Sequence, residues 1–176
     1  MLEQRLQQQF FESADLLYQA AEPLAGRLEQ AAQTLLGCLT GGGKLLLTGG
    51  ALAPHFAQLC VKGFERERPP LAALALAAAD VDAQVHALGL PGDVLMVVEA
   101  GKTDWRAAVQ AAHDKDMAVV ALTGPQPAWA DALTETDVWI AVPHERVARV
   151  HELQLLGLHA LADALDLQLL GELDPI

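Results

Sequence analysis

Two short loops carry the residue types that could bind or transform a small anion. The first is Thr48-Gly49-Gly50, which follows the aliphatic run Leu45–Leu47. The second is Gly101-Lys102-Thr103, which follows a second aliphatic run and Glu99-Ala100. A glycine turn at the end of a strand lets a ligand approach the backbone, and the next helix offers free N–H groups. Thr48, Thr103 and Lys102 would add side-chain donors. Glu99 opposes this, because two unit charges at contact repel by about 1 kcal/mol in water and by several in a partly buried cleft. The six histidines, His55, His86, His113, His144, His151 and His159, show no metal-ligand spacing. His113 and His144 read as surface loop residues. Asp80/Asp82 and Asp114/Asp116 fall at helix starts and turns, where carboxylates cap N–H groups or face solvent. Cys38 and Cys60 sit in apolar helical contexts and are expected to be buried, reduced thiols. No metal and no cofactor is expected.

Composition narrows the classes of function. The chain has 176 residues, 52% of them hydrophobic, enough for one domain with a real core. Its formal net charge of −12 argues against direct binding to nucleic acid or to an anionic membrane. Met1-Leu2-Glu3-Gln4-Arg5 does not read as a secretory signal, and no apolar run is long enough to cross a bilayer, so a cytoplasmic location is expected.

The elements that would position these loops follow from spacing. Leu2, Leu6, Phe10, Leu17 and Ala21 share one face of a helix over roughly 2–21. Pro23 can open a second helix, with Leu24, Leu28, Leu35 and Leu39 as its stripe, closing at Gly41-Gly42-Gly43. Strands are then expected at 45–47, 71–76, 93–98, 118–122 and 138–142. Helical segments are expected at 54–64, 81–88, 104–114, 127–133 and 145–167. Alternation of this kind implies a parallel sheet with right-handed crossovers, and continuous aliphatic strands imply helices on both faces. Residues 1–42 are thus read as a helical pair suited to oligomerisation, or to packing on their own domain. Residues 43–176 are read as an α/β domain.

Several strings also resemble a known family: His55-Phe56-Ala57, Gly63-Phe64-Glu65-Arg66-Glu67-Arg68-Pro69, Ala87-Leu88-Gly89-Leu90-Pro91-Gly92-Asp93, Ala111-Ala112-His113-Asp114-Lys115-Asp116-Met117, Arg149-Val150-His151-Glu152-Leu153 and Leu158-His159-Ala160-Leu161. Across essentially the whole chain they resemble the sugar isomerase (SIS) domain family, in the branch of phosphoheptose isomerase and of DiaA, the DnaA initiator-associating protein. The resemblance implies a three-layer α-β-α sandwich with a five-stranded parallel sheet, preceded by the helical pair and assembled as a homotetramer.

Isomerisation through an enediol needs a base beside a carbonyl and an acid at its oxygen. Set against the family, the chain looks degenerate. The loop after the first strand lacks the family's asparagine and serine and is shorter. Glu99-Ala100-Gly101-Lys102-Thr103 replaces a hydroxyl-rich loop. The family's catalytic Glu and His fall at Leu59 and Gln154, leaving His151 as the candidate base. The segment between the second and third strands is short. Three functions follow from the resemblance. One is a non-catalytic, DiaA-like oligomeric adaptor that binds the replication initiator DnaA, with Leu169 and Leu170 as the contacting pair. Another is a sedoheptulose 7-phosphate isomerase of heptose biosynthesis. The third is a phosphosugar-binding protein using Thr48, Gly49, Gly50, Gly101, Lys102 and Thr103. The first is the expectation carried forward.

Overall fold

Five short aliphatic runs become five parallel strands in the computed structural model, which describes residues 1–172. In chain order the elements are α1 (Leu2–Thr40), β1 (Leu45–Gly49), α2 (Leu52–Lys62), β2 (Ala73–Ala75), α3 (Val81–Leu88), β3 (Val94–Glu99), α4 (Arg106–His113), β4 (Ala118–Thr123), a single 3-10 turn (Ala130–Ala132), β5 (Val138–Ala141) and α5 (Val147–Leu170). The sheet order is β2-β1-β3-β4-β5. Registers such as Leu46 opposite Leu95, and Leu95 opposite Val119, hold the middle of the sheet together.

Successive side chains of a strand point to opposite faces, so a strand covered on both sides is apolar at every position. Leu45 and Leu47 join Met96, Val98, Leu122 and Ile140 beneath α1, α2 and α5. Leu46 joins Leu95, Val97, Val119 and Ala121 beneath α3 and α4, where Trp129 fills the end of the layer. The three-layer α/β sandwich expected from the sequence is the observed fold.

The N-terminal pair is corrected. Residues 2–40 form one continuous helix of 39 residues, about 58 Å long, with Pro23 inside it. Proline in a helix interior removes one hydrogen bond and crowds the preceding turn, at a cost of about 3 kcal/mol. Burial of Ala20, Leu24, Ala31 and Leu35 on either side of the proline offsets that cost. Before Ala20 the helix is largely uncovered: Leu2, Leu6 and Phe10 of the expected apolar stripe are exposed, and so is Tyr18 beside it.

By length and composition α5 could cross a membrane. It packs instead on α1, α2 and β4, and it buries Arg149 and Asp166, each of which is ion-paired. Asp80 and Asp116 take left-handed backbone conformations. Asp80 starts α3 without a side-chain cap; Gln84 braces the turn by bonding the Ala77 N–H and the Ala77 and Ala79 carbonyls. His113 is half-buried, not a free loop residue, and its Nε2 lies 2.9 Å from the Asp137 carboxylate. Both cysteines are buried and free, as expected.

Candidate functional site

In an open parallel sheet, ligands bind at the carboxyl edge where consecutive crossovers leave in opposite directions. Here that point lies between β1 and β3, because α2 carries the chain outward to β2 while α4 carries it the other way to β4. Both loops singled out from the sequence lie there. Thr48 is buried at the end of β1, Gly49 and Gly50 are half-buried, and Gly101, Lys102 and Thr103 are exposed across the crevice. Gly49 has a φ of +120°, and a Cβ there would lie 2.0 Å from the Val98 carbonyl oxygen, so only glycine lets β1 end this close to β3.

Three N–H groups of this crevice already have partners. Gly50 N–H donates to the Val98 carbonyl at 2.8 Å. Gly101 N–H donates to the carboxylate of Glu99. At the start of α4, Arg106 N–H donates to Asp104 at 2.9 Å, and the Arg106 guanidinium spans Asp104, Asp131 and the Ala128 carbonyl. A ligand at this edge must compete with carboxylates that belong to the chain.

Gln154 of α5 lies directly under the same edge and is fully buried. Its Nε2 donates to the carbonyls of Glu99, at 3.0 Å, and Leu122, at 2.9 Å, the last turns of β3 and β4. Its Oε1 has no partner. Gln154 therefore ties α5 to the sheet and is not an acid–base position facing a cleft. Leu59 packs half-buried against the core beneath α2. His151 is exposed and lies off the ring pair described next.

The structure assembles a pair that sequence spacing did not bring together. His55, in the first turns of α2, places Nε2 3.1 Å from Nε2 of His159 on α5. The rings tilt by 56°, and Phe64 packs on His159 with ring centroids 5.0 Å apart. Only one proton fits between two nitrogens at this distance, so one ring donates while the other accepts. His159 also lines a shallow depression of about 250 Å³, together with Ser13, Leu17, Glu152, Leu155 and Leu156. At its rim burial would raise the pKa of Glu152, but bonds from Ser13 and Arg149 outweigh it and hold the carboxyl below its ordinary value. Arg149 itself is buried and is gripped by Gln9, Ser13 and Glu152, which docks the exposed half of α1 onto α5. The two histidines are 104 residues apart, so no local pattern could have joined them. Among the described residues no group of three or more His, Cys, Asp or Glu is placed to hold a metal ion.

No family model matches the chain. Whole-chain relatives are clear. A phosphoheptose isomerase from Methylibium petroleiphilum is 50% identical, covering 99% of this chain and 98% of the relative. One from an Azoarcus species is 40% identical over 95% and 96%. The first alignment runs over 196 positions against 176 residues here, so the relative carries residues with no counterpart in this chain, in keeping with the shortened loops. Among solved structures, a phosphoheptose isomerase from Neisseria gonorrhoeae matches with a TM-score of 0.84 and 35% identity, over 94% of this chain and 99% of that one. One from Francisella tularensis matches with a TM-score of 0.86 and 32% identity, over 94% and 98%.

These relatives overturn the expectation of a DnaA adaptor. They carry an isomerase name over their whole length, and none of this similarity favours a DiaA-like branch. Leu169 and Leu170 are moderately exposed residues in the last turn of α5, and Leu165 of the same run is buried in the core. On identity and coverage together, the chain belongs to the phosphoheptose isomerase family, built on the sugar isomerase fold.

Proposed function

We propose that the chain isomerises a phosphorylated sugar, sedoheptulose 7-phosphate being the first substrate to test, and that His55 and His159 carry the proton transfers. The single observation behind this is the 3.1 Å imidazole pair held between α2 and α5. Aldose–ketose isomerisation moves one proton from carbon and rearranges another between two oxygens. One ring takes the carbon-bound proton and the other supplies a proton to the carbonyl oxygen, giving the enediol. The first ring then delivers its proton to the neighbouring carbon while the second takes the proton of the other hydroxyl, which completes the exchange and restores the pair. Phe64 and the surrounding helices orient the rings. His159 is five residues from Gln154 along α5, about 7.5 Å.

The test is turnover of sedoheptulose 7-phosphate, followed by solvent deuterium exchange, in the parent and in His159→Asn. Turnover in the parent with a loss of about 10²- to 10⁴-fold in the variant is expected. A folded parent with no exchange overturns the reading.

Leu59 favours a second reading. It sits one helical turn after His55 and gives the pair no carboxylate neighbour on α2, which suits a protein that binds a sugar phosphate without converting it. Stabilisation of about 2.7 kcal/mol at one hundred times the dissociation constant, without deuterium exchange, identifies that case.

We also infer self-association, with a homotetramer as the expected assembly. The support is an apolar groove of about 580 Å³ on the outer face of α1 and α5, lined by Leu24, Leu28, Ala32, Leu156, Ala160 and Ala164 among others. It is continuous with the depression beside His159, since Leu17 and Leu156 line both. A second copy seated there would close the outer wall of the histidine site.

A further inference from the structure

We propose that Glu99 is the specificity-determining residue of the crevice: its carboxylate occupies, as a resident anion, the place a phosphate group would take, and a phosphorylated ligand binds only by displacing it. The proposal rests on the sugar-phosphate reading above and deepens it.

The argument starts from donors. A phosphate at the carboxyl edge of a parallel sheet is held by backbone N–H groups, helped by cations. Three N–H groups at this edge are committed internally. Gly50 donates to the Val98 carbonyl, Gly101 to Glu99, and Arg106 to Asp104. The first acceptor is neutral and belongs to the sheet. The third sits at the start of α4, where Arg106 compensates Asp104. Glu99 differs from both. It is half-buried, it ends the strand at the switch point, and it has no salt-bridge partner among the described residues. Its carboxylate folds back over two residues to take the Gly101 N–H.

The backbone of Glu99 is fixed from below. Gln154, fully buried, holds the Glu99 carbonyl and leaves its own Oε1 unpaired. The backbone of Glu99 is therefore anchored at the mouth of the crevice, and only its side chain has to move when a ligand displaces it. The exposed cation nearby in sequence is Lys102. An incoming dianion meets one full negative charge at contact distance, one lysine, and a donor already in use. Phosphate recognition is thereby weakened relative to a loop without a carboxylate, and the uncharged part of the ligand must supply more of the binding.

Isothermal titration of inorganic phosphate into the full chain tests this without requiring turnover. Glu99→Ser removes the charge and frees the Gly101 N–H. Glu99→Gln removes only the charge and keeps an acceptor of the same shape. Phosphate is expected to bind Glu99→Ser at least about ten-fold tighter than the parent, with Glu99→Gln between them. Lys102→Met in the Glu99→Ser background should reverse part of the gain. Equal phosphate affinity in the parent and in Glu99→Ser, with a cooperative melt retained, overturns the proposal. If Glu99→Ser does not fold, the near-isosteric Glu99→Gln carries the comparison, and equality with the parent is again decisive. These outcomes are independent of the His159→Asn result. Phosphate can bind more tightly without turnover, and turnover can occur with an unaltered phosphate affinity.

Discussion

At the scale of single residues, Arg68–Asp166 is a buried ion pair that lies behind the candidate site. Both side chains are almost wholly buried, at 2% and 1% exposure. Arg68 also holds the carbonyls of Leu59 and Cys60, and Asp166 accepts the Phe64 N–H. The pair therefore fastens the end of α2, and with it Phe64 and the histidine pair, to α5. Removing one partner leaves an uncompensated buried charge. Arg68→Met should cost about 3–5 kcal/mol in urea unfolding, and Arg68→Met with Asp166→Leu should cost less than the single change. The thiols give a second prediction. Burial pushes the Cys60 pKa up to about 12, and burial followed by the Asp93 charge pushes that of Cys38 up to about 11. Neither should be alkylated by iodoacetamide at pH 8 unless the protein unfolds. The buried thiols were legible in the sequence because each lies in an apolar helical stripe. Arg68–Asp166 and His55–His159 were not, since the partners lie 98 and 104 residues apart. Only the fold brings α2 against α5.

At the scale of elements, the strands were legible within one or two residues because their aliphatic runs are short and bounded by glycine, proline or aspartate. The break at Pro23 was misread for a physical reason. Proline is a strong local signal, but tertiary burial of Leu24, Ala31 and Leu35 outweighs it. Pro23→Ala should restore the bond to the Gln19 carbonyl and raise stability by about 1–3 kcal/mol, read from the urea midpoint at unchanged slope. A fall in stability would mean that the ring fills space the helix needs. Strand starts are pinned electrostatically. Asp93 accepts from the Lys44 N–H and ammonium and from Leu90 N–H, joining β1 to β3. Burial would raise the Asp93 pKa, yet these bonds together lower it. Its folded pKa lies below its unfolded value, so the stabilisation is complete above about pH 4 and is lost as pH falls through the folded pKa. Asp93→Asn should flatten that acid limb of the stability curve and lower stability at pH 7.

At the scale of the whole molecule, the helical layer formed by α1, α2 and α5 has an outer surface unlike that of an isolated domain. Phe10, Phe11 and Tyr18 are 77%, 62% and 87% exposed, and the groove between α1 and α5 continues the same apolar face. Monomeric proteins rarely leave a contiguous patch of this kind open to water. A chain with net charge −12 also needs apolar contact to overcome self-repulsion on association. The two requirements meet if the charges lie mainly away from this face, and Glu29 is the one charged residue among the seventeen that line the groove. Leu156 allows a clean test, because it is 51% exposed and shared by the groove and the histidine depression. Leu156→Glu removes little core from a single chain, so its monomer should stay within about 0.5 kcal/mol of a monomeric reference. Light scattering should move the parent's oligomer mass toward that of one chain. If the histidine site is closed by a second copy, deuterium exchange into sugar phosphate should fall with the oligomer, while His55 and His159 remain in place. Loss of the oligomer with full exchange would assign the whole site to one chain and leave the apolar face a role in assembly alone.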